Sequence, residues 1–188
     1  VYPARNAAAE AASSQILLFL DDDITPLRDL VMNHLRHYED KDIAALIGAA
    51  VNDKNQPMVP VPKEFVESSH LEQAFTYRGD FDTPLRNIGF MFAGNFSVRR
   101  DVFVKLGGWD EHIFNYGDRD MGIRLVAADY RMDYDPEAKI IHHVAKQGGS
   151  RVTDRQNRVE PWLRCVSIHY VALKHLKGRM FIKHGLYK

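Results

Sequence analysis

The sequence predicts an α/β domain, a mixed and mainly parallel sheet flanked by helices and incomplete at its N-terminus. Three observations carry that reading. Apolar runs of strand length occur at residues 16–20 (ILLFL) and 43–51 (IAALIGAAV), continuous rather than alternating, as in strands buried on both faces. Segments of helical pattern separate them, and a short alternation of helix and strand implies parallel pairing. The first run ends on three consecutive carboxylates, Asp21, Asp22 and Asp23, at the strand end where open α/β sheets bind ligands.

The elements follow in order. Residues 6–14 (NAAAEAASS) read as an Ala-rich helix capped by Asn6. No strand precedes it, so half of a two-part sheet is expected to lie outside this chain. Beyond the acidic run, Thr25 and Pro26 read as a helix start with proline at the first position. Leu27, Leu30, Val31, Leu35 and Tyr38 mark its apolar face. The DKNQP turn ends the 43–51 strand. VPVP at 59–62 reads as extended, residues 63–77 as a helix and 90–98 as a strand. Asp101 caps a short helix that Gly107 and Gly108 end. Residues 118–129 form the next helix, 130–134 alternate as an edge-type strand, and 139–144 are a last strand carrying His142 and His143. Trp162, Val166, Tyr170, Leu173 and Leu176 make the C-terminal segment an amphipathic helix. The division is a body over 1–151 and a basic helical segment over 152–188.

A chain of 188 residues suffices for one sizeable core. No apolar run approaches the roughly 18–20 residues of a membrane span, and the N-terminus has no signal pattern. The single cysteine, Cys165, excludes an intrachain disulfide framework and fits a reducing compartment, so a cytoplasmic location is expected. The net charge of zero hides an asymmetry. From Arg151 onward there are nine Lys/Arg against two Asp/Glu, leaving 16 against 23 in residues 1–150. An acidic body with a basic tail suits either a metal site plus a tail that meets phosphate or a lipid surface, here the cytoplasmic face of a membrane, or a solvated basic helix that packs on its own acidic domain. Nucleic acid is not an expected partner, because the body is acidic and no aromatic platform interleaves the basic residues.

Three adjacent like charges after a buried strand need a counter-charge. Alternate side chains of an extended backbone share a face, so Asp21 and Asp23 point together and Asp22 points away. Two hard oxygen ligands one residue apart suit Mg²⁺ or Mn²⁺, which also take phosphate oxygens and water.

ARN at 4–6, FLDDDITP at 19–26, RRDVFVKLGGWDE at 99–111 and NYGDRDMGIRL at 115–125, in this order, resemble a family 2 glycosyltransferase of the GT-A fold. The resemblance covers residues 4–151 and lacks the family's first strand and the acidic turn for the nucleotide base. It implies an inverting, metal-dependent transfer of a sugar from a nucleotide-sugar donor to a hydroxyl acceptor on a cell-envelope glycan or its lipid-linked precursor. Asp21 and Asp23 match the Asp-x-Asp motif that holds Mn²⁺ or Mg²⁺ against the donor diphosphate, and His142 matches a third metal group. Arg5, Asp21, Asp22, Asp23, Gly94, Asn95 and Arg151 fall on the donor, Arg151 in a loop after Gly148 and Gly149. Trp109 and Asp110 match acceptor-binding positions, with core packing the other reading of Trp109. Asp118 matches the general base; Gly117 stands where the resemblance expects Glu. A rival pattern, Asp-x-Asp-x-Thr after an apolar strand, is similar to haloacid dehalogenase-type phosphatases, with Asp21 as nucleophile and Asp23 as acid/base. A third possibility is an inactive fragment that serves as a binding module.

Overall fold

The computed structural model describes residues 1–57, 67–76, 80–143 and 161–175. Helix α1 (Tyr2–Ala11) opens with proline in its first turn and buries Tyr2 and Ala9. It starts four residues earlier than the alanine run suggests, so Asn6 lies inside the helix and caps nothing. Its amide instead brackets Trp109: the nitrogen donates to the Trp109 carbonyl and the oxygen accepts the Trp109 N–H, both at 2.8 Å.

Strand β1 (Ile16–Leu20) buries Leu17 and Phe19 and leaves the alternate residues half-buried. The expected helix start at Thr25 and Pro26 is corrected: Ile24–Pro26 is a short edge strand, β2. Proline is compatible with an edge because its missing N–H need not join a ladder. Helix α2 (Leu30–Leu35) follows, continued by a 3₁₀ turn over Arg36–Glu39. Its buried face is Leu30 and His34, whereas Leu27, Val31 and Leu35 are exposed, which corrects the expected stripe.

Strand β3 (Ile43–Val51) is buried at all nine positions and is the centre of the sheet. Helix α3 (His70–Thr76) occupies part of the 63–77 segment; the VPVP stretch lies outside the described residues. Residues 90–93 are buried but irregular, and β4 is confined to Asn95–Arg99. Helix α4 (Arg100–Lys105) carries Asp101 in its first turn rather than at its cap, and ends into Gly107 and Gly108, both at positive φ. Helix α5 (Gly117–Ala127) leads into β5 (Arg131–His142), and α6 (Pro161–His175) is the last described element.

The sheet order is β1-β4-β3-β5-β2. Among the described residues only β3 and β5 pair in parallel; β1–β4, β4–β3 and β5–β2 are antiparallel. The sheet is mixed, as expected, but among the described strands its pairings are mainly antiparallel rather than mainly parallel. Strands β1, β3 and β5 do run the same way, but β4 inserts antiparallel between two of them. The two strands expected at 130–134 and 139–144 are one strand with a bulge, since Gly48 pairs Asp135 while Ala49 pairs Lys139. Gly48 is required there, because a Cβ would collide with the Ala138 carbonyl and the Asn95 amide. Asp135 braces the bulge by accepting from Glu137 N–H at 2.8 Å and from Arg36 at 2.6 Å.

An aromatic cluster joins the helices to the sheet. Trp109 stacks on Tyr2 at 5.6 Å and meets Phe19 edge-on at 5.5 Å, with Phe96 and Phe103 alongside.

Candidate functional site

The site forms where β1 ends. Asp21 N–H donates to the Gly94 carbonyl at 3.2 Å, closing the β1–β4 ladder. The chain then crosses to the opposite edge of the sheet as β2, where Ile24 pairs His142 of β5. His143 N–H adds a further rung to the Asp23 carbonyl at 2.9 Å. This crossing brings residues 21–23 and residue 142 together.

The three expected metal groups converge. His142 Nε2 lies 3.4 Å from Asp21 Oδ2 and 3.3 Å from Asp23 Oδ1, and one ligand atom from each residue falls within 4.8 Å of the others. Adjacent ligands of an octahedral ion at about 2.1 Å lie about 3 Å apart, so the spacing and the mixed oxygen and imidazole donor set fit a small divalent cation. His142 is buried, and among the described residues its Nδ1 has no hydrogen-bond partner. Asp22 is exposed and turned to solvent, as strand alternation predicts.

Arg5 of α1 donates to Asp21 Oδ1 at 2.7 Å and rests over the Trp109 ring. Burial pushes the Asp21 carboxyl up, but the imidazole of His142 and the Arg5 guanidinium outweigh it and hold the group below its ordinary value. Asp21 is thus kept charged, which a cation ligand requires. Gly94 lies against this carboxylate: a Cβ there would strike Asp21 Oδ2 and the Phe92 ring.

Asp118, in the first turn of α5, accepts the Ala93 N–H at 3.1 Å through Oδ2. Ala93 and Gly94 therefore link Asp118 on one side to Asp21 on the other. Gly117 has no room for a side chain, because a Cβ would enter the Tyr2 ring, and its N–H donates to the Tyr2 hydroxyl at 2.8 Å. The glycine in place of glutamate thus accompanies an aromatic ring in that space.

Two of the expected contact residues face elsewhere. Asn95 is fully buried; its amide nitrogen donates to the Ala49 and Ala138 carbonyls at 3.0 and 2.7 Å, and its oxygen meets His34. That side chain is consumed inside the sheet, which corrects it as a donor contact. Trp109 is 1% exposed, so core packing replaces acceptor binding. The Asp110 carboxylate accepts from Lys174 at 2.6 Å and Tyr170 at 3.1 Å, both on α6. Arg151, with Gly148 and Gly149, lies outside the described residues.

Two polar networks had no signal in the sequence beyond the residue types themselves. Because the Asn95 nitrogen is spent on carbonyls, His34 Nε2–H donates to Asn95 Oδ1 at 2.9 Å and Nδ1 accepts from Ser97 at 2.7 Å. Tyr38 completes that chain on Ser97. Around α5, the buried Asp120 accepts from Arg124 four residues on, and also from His175 at 2.7 Å and Lys174 at 2.8 Å. Burial raises the Asp120 carboxyl, but the His175 and Lys174 hydrogen bonds and the Arg124 charge overcome it and hold it far below the usual range.

The mixed sheet, its helices and the acidic corner define a GT-A domain, and comparisons with solved structures bear out that fold. A mannosyltransferase from Pyrobaculum calidifontis, solved with GDP-Man and Mn²⁺, superposes with a TM-score of 0.58 at 17% identity over 99% of this chain and 47% of its own. GalNAc-T7, solved with UDP, GalNAc and Mn²⁺, gives 0.58 at 14% identity over 99% of this chain and 41% of its own. The chain belongs to glycosyl transferase family 2, whose family model matches residues 1–107. That membership replaces the phosphatase reading of Asp21 and Asp23. Among curated relatives, a pre-mycofactocin glycosyltransferase of Mycobacterium tuberculosis is 27% identical over 74% of this chain and 29% of its own length. The O-antigen chain rhamnosyltransferase WbaN of Salmonella anatum is 28% identical over 84% of this chain and 52% of its own. The chain thus spans about half, or less, of these relatives.

Proposed function

We propose that this chain carries the metal and acceptor side of an inverting glycosyltransferase that moves one sugar from a nucleotide-sugar donor to a hydroxyl of a cell-envelope glycan or its lipid-linked precursor. The observation that supports it above all is the convergence of Asp21, Asp23 and His142 with Arg5 at their edge. Those three side chains would hold Mn²⁺ or Mg²⁺, which when bound screens a diphosphate and stabilises charge on the leaving nucleotide. Arg5 supplies a fixed cation at the same corner, placed to exchange Asp21 for a phosphate oxygen. Asp118 is the base. Its carboxylate takes the proton of the acceptor hydroxyl as that oxygen attacks the anomeric carbon. The bond from that carbon to the phosphate oxygen breaks on the opposite side, and the nucleoside diphosphate leaves. The N–H of Ala93 orients Asp118 toward the strip that also carries Gly94. The similarity to an O-antigen chain rhamnosyltransferase favours an envelope glycan as acceptor.

Titration calorimetry of the full-length protein with UDP, GDP and dTDP, each with and without Mn²⁺, tests this. One nucleotide binds only with Mn²⁺, and Asp23→Asn abolishes that binding. Asp118→Asn keeps it and loses transfer. If no nucleotide binds under any metal condition, the chain is a binding module and the proposal fails.

A further inference from the structure

The C-terminal helix turns its apolar stripe the wrong way for a helix that merely completes a core. Trp162, Val166, Tyr170 and Leu173 recur at helical spacing on one face, and Trp162, Val166 and Leu173 are 60%, 58% and 70% exposed. The inward face is instead Ser167, Ile168, Val171 and Ala172. Polar pins hold this rotation. Ser167 accepts the Asn115 N–H at 3.2 Å, Lys174 reaches Asp110 and Asp120, and His175 donates to Asp120. Rolling α6 to bury Trp162 and Leu173 would break all of these and strand the buried Asp120 charge.

Charge selects what can cover the stripe. Residues 161–188 contain six Lys/Arg and no Asp/Glu, whereas residues 1–150 carry an excess of seven acidic residues. A second copy of the same face would bring two cationic segments together. An anionic lipid surface attracts the cationic segment that contains α6 and repels the acidic body. Trp and Tyr beside Val and Leu, in a segment whose sequence carries Lys and Arg but no Asp or Glu, match a helix lying in the plane of a membrane interface. The stripe from Trp162 to Leu173 is about 16 Å long, too short to span a bilayer.

We propose that the outward face of α6 is a docking surface for anionic membrane, with Trp162, Val166, Tyr170 and Leu173 seated at the headgroup level. This goes beyond the transfer reading and does not depend on which sugar moves. It places α5, and with it Asp118, two residues from the pinned Asp120, in a domain held against a lipid surface.

The test uses the full-length protein and vesicles of phosphatidylcholine, either alone or with about a third phosphatidylglycerol. Trp109 is buried, so the part of any blue shift of tryptophan emission that Trp162→Phe abolishes reports Trp162. The shift is expected with anionic vesicles only, with reversal at high salt and loss in Trp162→Phe. Val166→Ser/Leu173→Ser, at exposed positions, should keep the native circular dichroism and weaken partitioning about tenfold or more. Nucleotide binding without vesicles, measured on the same preparations, should be unchanged, which separates failure of the membrane face from failure of the transferase reading. Equal partitioning of wild type and double variant overturns the proposal. So does an absence of vesicle binding, or a dimer in light scattering that the double variant dissociates without any lipid response.

Discussion

His34 should make the fold acid-sensitive in a defined window. The imidazole is 1% exposed, and burial, partly offset by its Asn95 hydrogen bond and the Asp135 charge, lowers its pKa to about 4 from 6.5. In the unfolded chain the ring protonates near its ordinary value, so between these pH values the unfolded state binds more protons. Stability is then complete above about pH 6.5 and falls as pH drops through the window. One unit corresponds to 1.36 kcal/mol, so the loss is about 1.4 kcal/mol at pH 5.5 and about 3 kcal/mol at pH 4. Burial is the main cause, and the Ser97 hydrogen bond acts in the same direction: Nδ1 already accepts from Ser97, and protonation would set two donors against each other inside the sheet. Urea denaturation of wild type and His34→Gln at pH 7, 5.5 and 4 isolates this group from the carboxylates that also titrate. Wild type should lose about 3 kcal/mol more than the glutamine variant, whose side chain cannot protonate. Parallel pH dependences in the two proteins would refute the reasoning.

Other expectations follow from single contacts. Gly94→Ala pushes a methyl into Asp21 Oδ2 and Phe92 and should weaken Mn²⁺ binding, followed by titration calorimetry, at a stability cost of about 1–3 kcal/mol. Asn6→Ala leaves the N–H and carbonyl of Trp109 without their partner and should lower the urea midpoint by the equivalent of about 2–4 kcal/mol. Asp120→Asn removes the charge on which Arg124, Lys174 and His175 converge and should cost about 3 kcal/mol, with greater protease sensitivity in α6. Tyr2→Phe removes the acceptor at Gly117 N–H and should cost about 1 kcal/mol by the same denaturation assay.

Much of the site could be read along the chain because its parts are local. Asp21 and Asp23 are one residue apart at a strand end, and pleat alternation alone separates them from Asp22. The strand at 43–51 was equally legible, since nine consecutive apolar or small residues have nowhere to go but the centre of a sheet. Pairing direction was not legible. Alternation of helix and strand says nothing about β4 inserting antiparallel between β1 and β3, because that choice is made by strands some fifty and eighty residues apart in sequence. Thr25 and Pro26 carry a good local helix-start signal, yet Ile140–His142 offers them a sheet edge and the long-range pairing prevails.

By itself, then, the sequence determined the acidic corner, the buried central strand and the segregation of charge between body and tail, all of which depend on neighbours in the chain. Tertiary structure alone decided that Asn95 and Trp109 serve the core, that Asp110 and Asp120 hold α6, and which side of α6 faces outward. The physical reason is common to all of these. A polar or aromatic side chain takes whichever partner relieves its burial, and the partners here lie about forty to a hundred residues away, across contacts that exist only after folding.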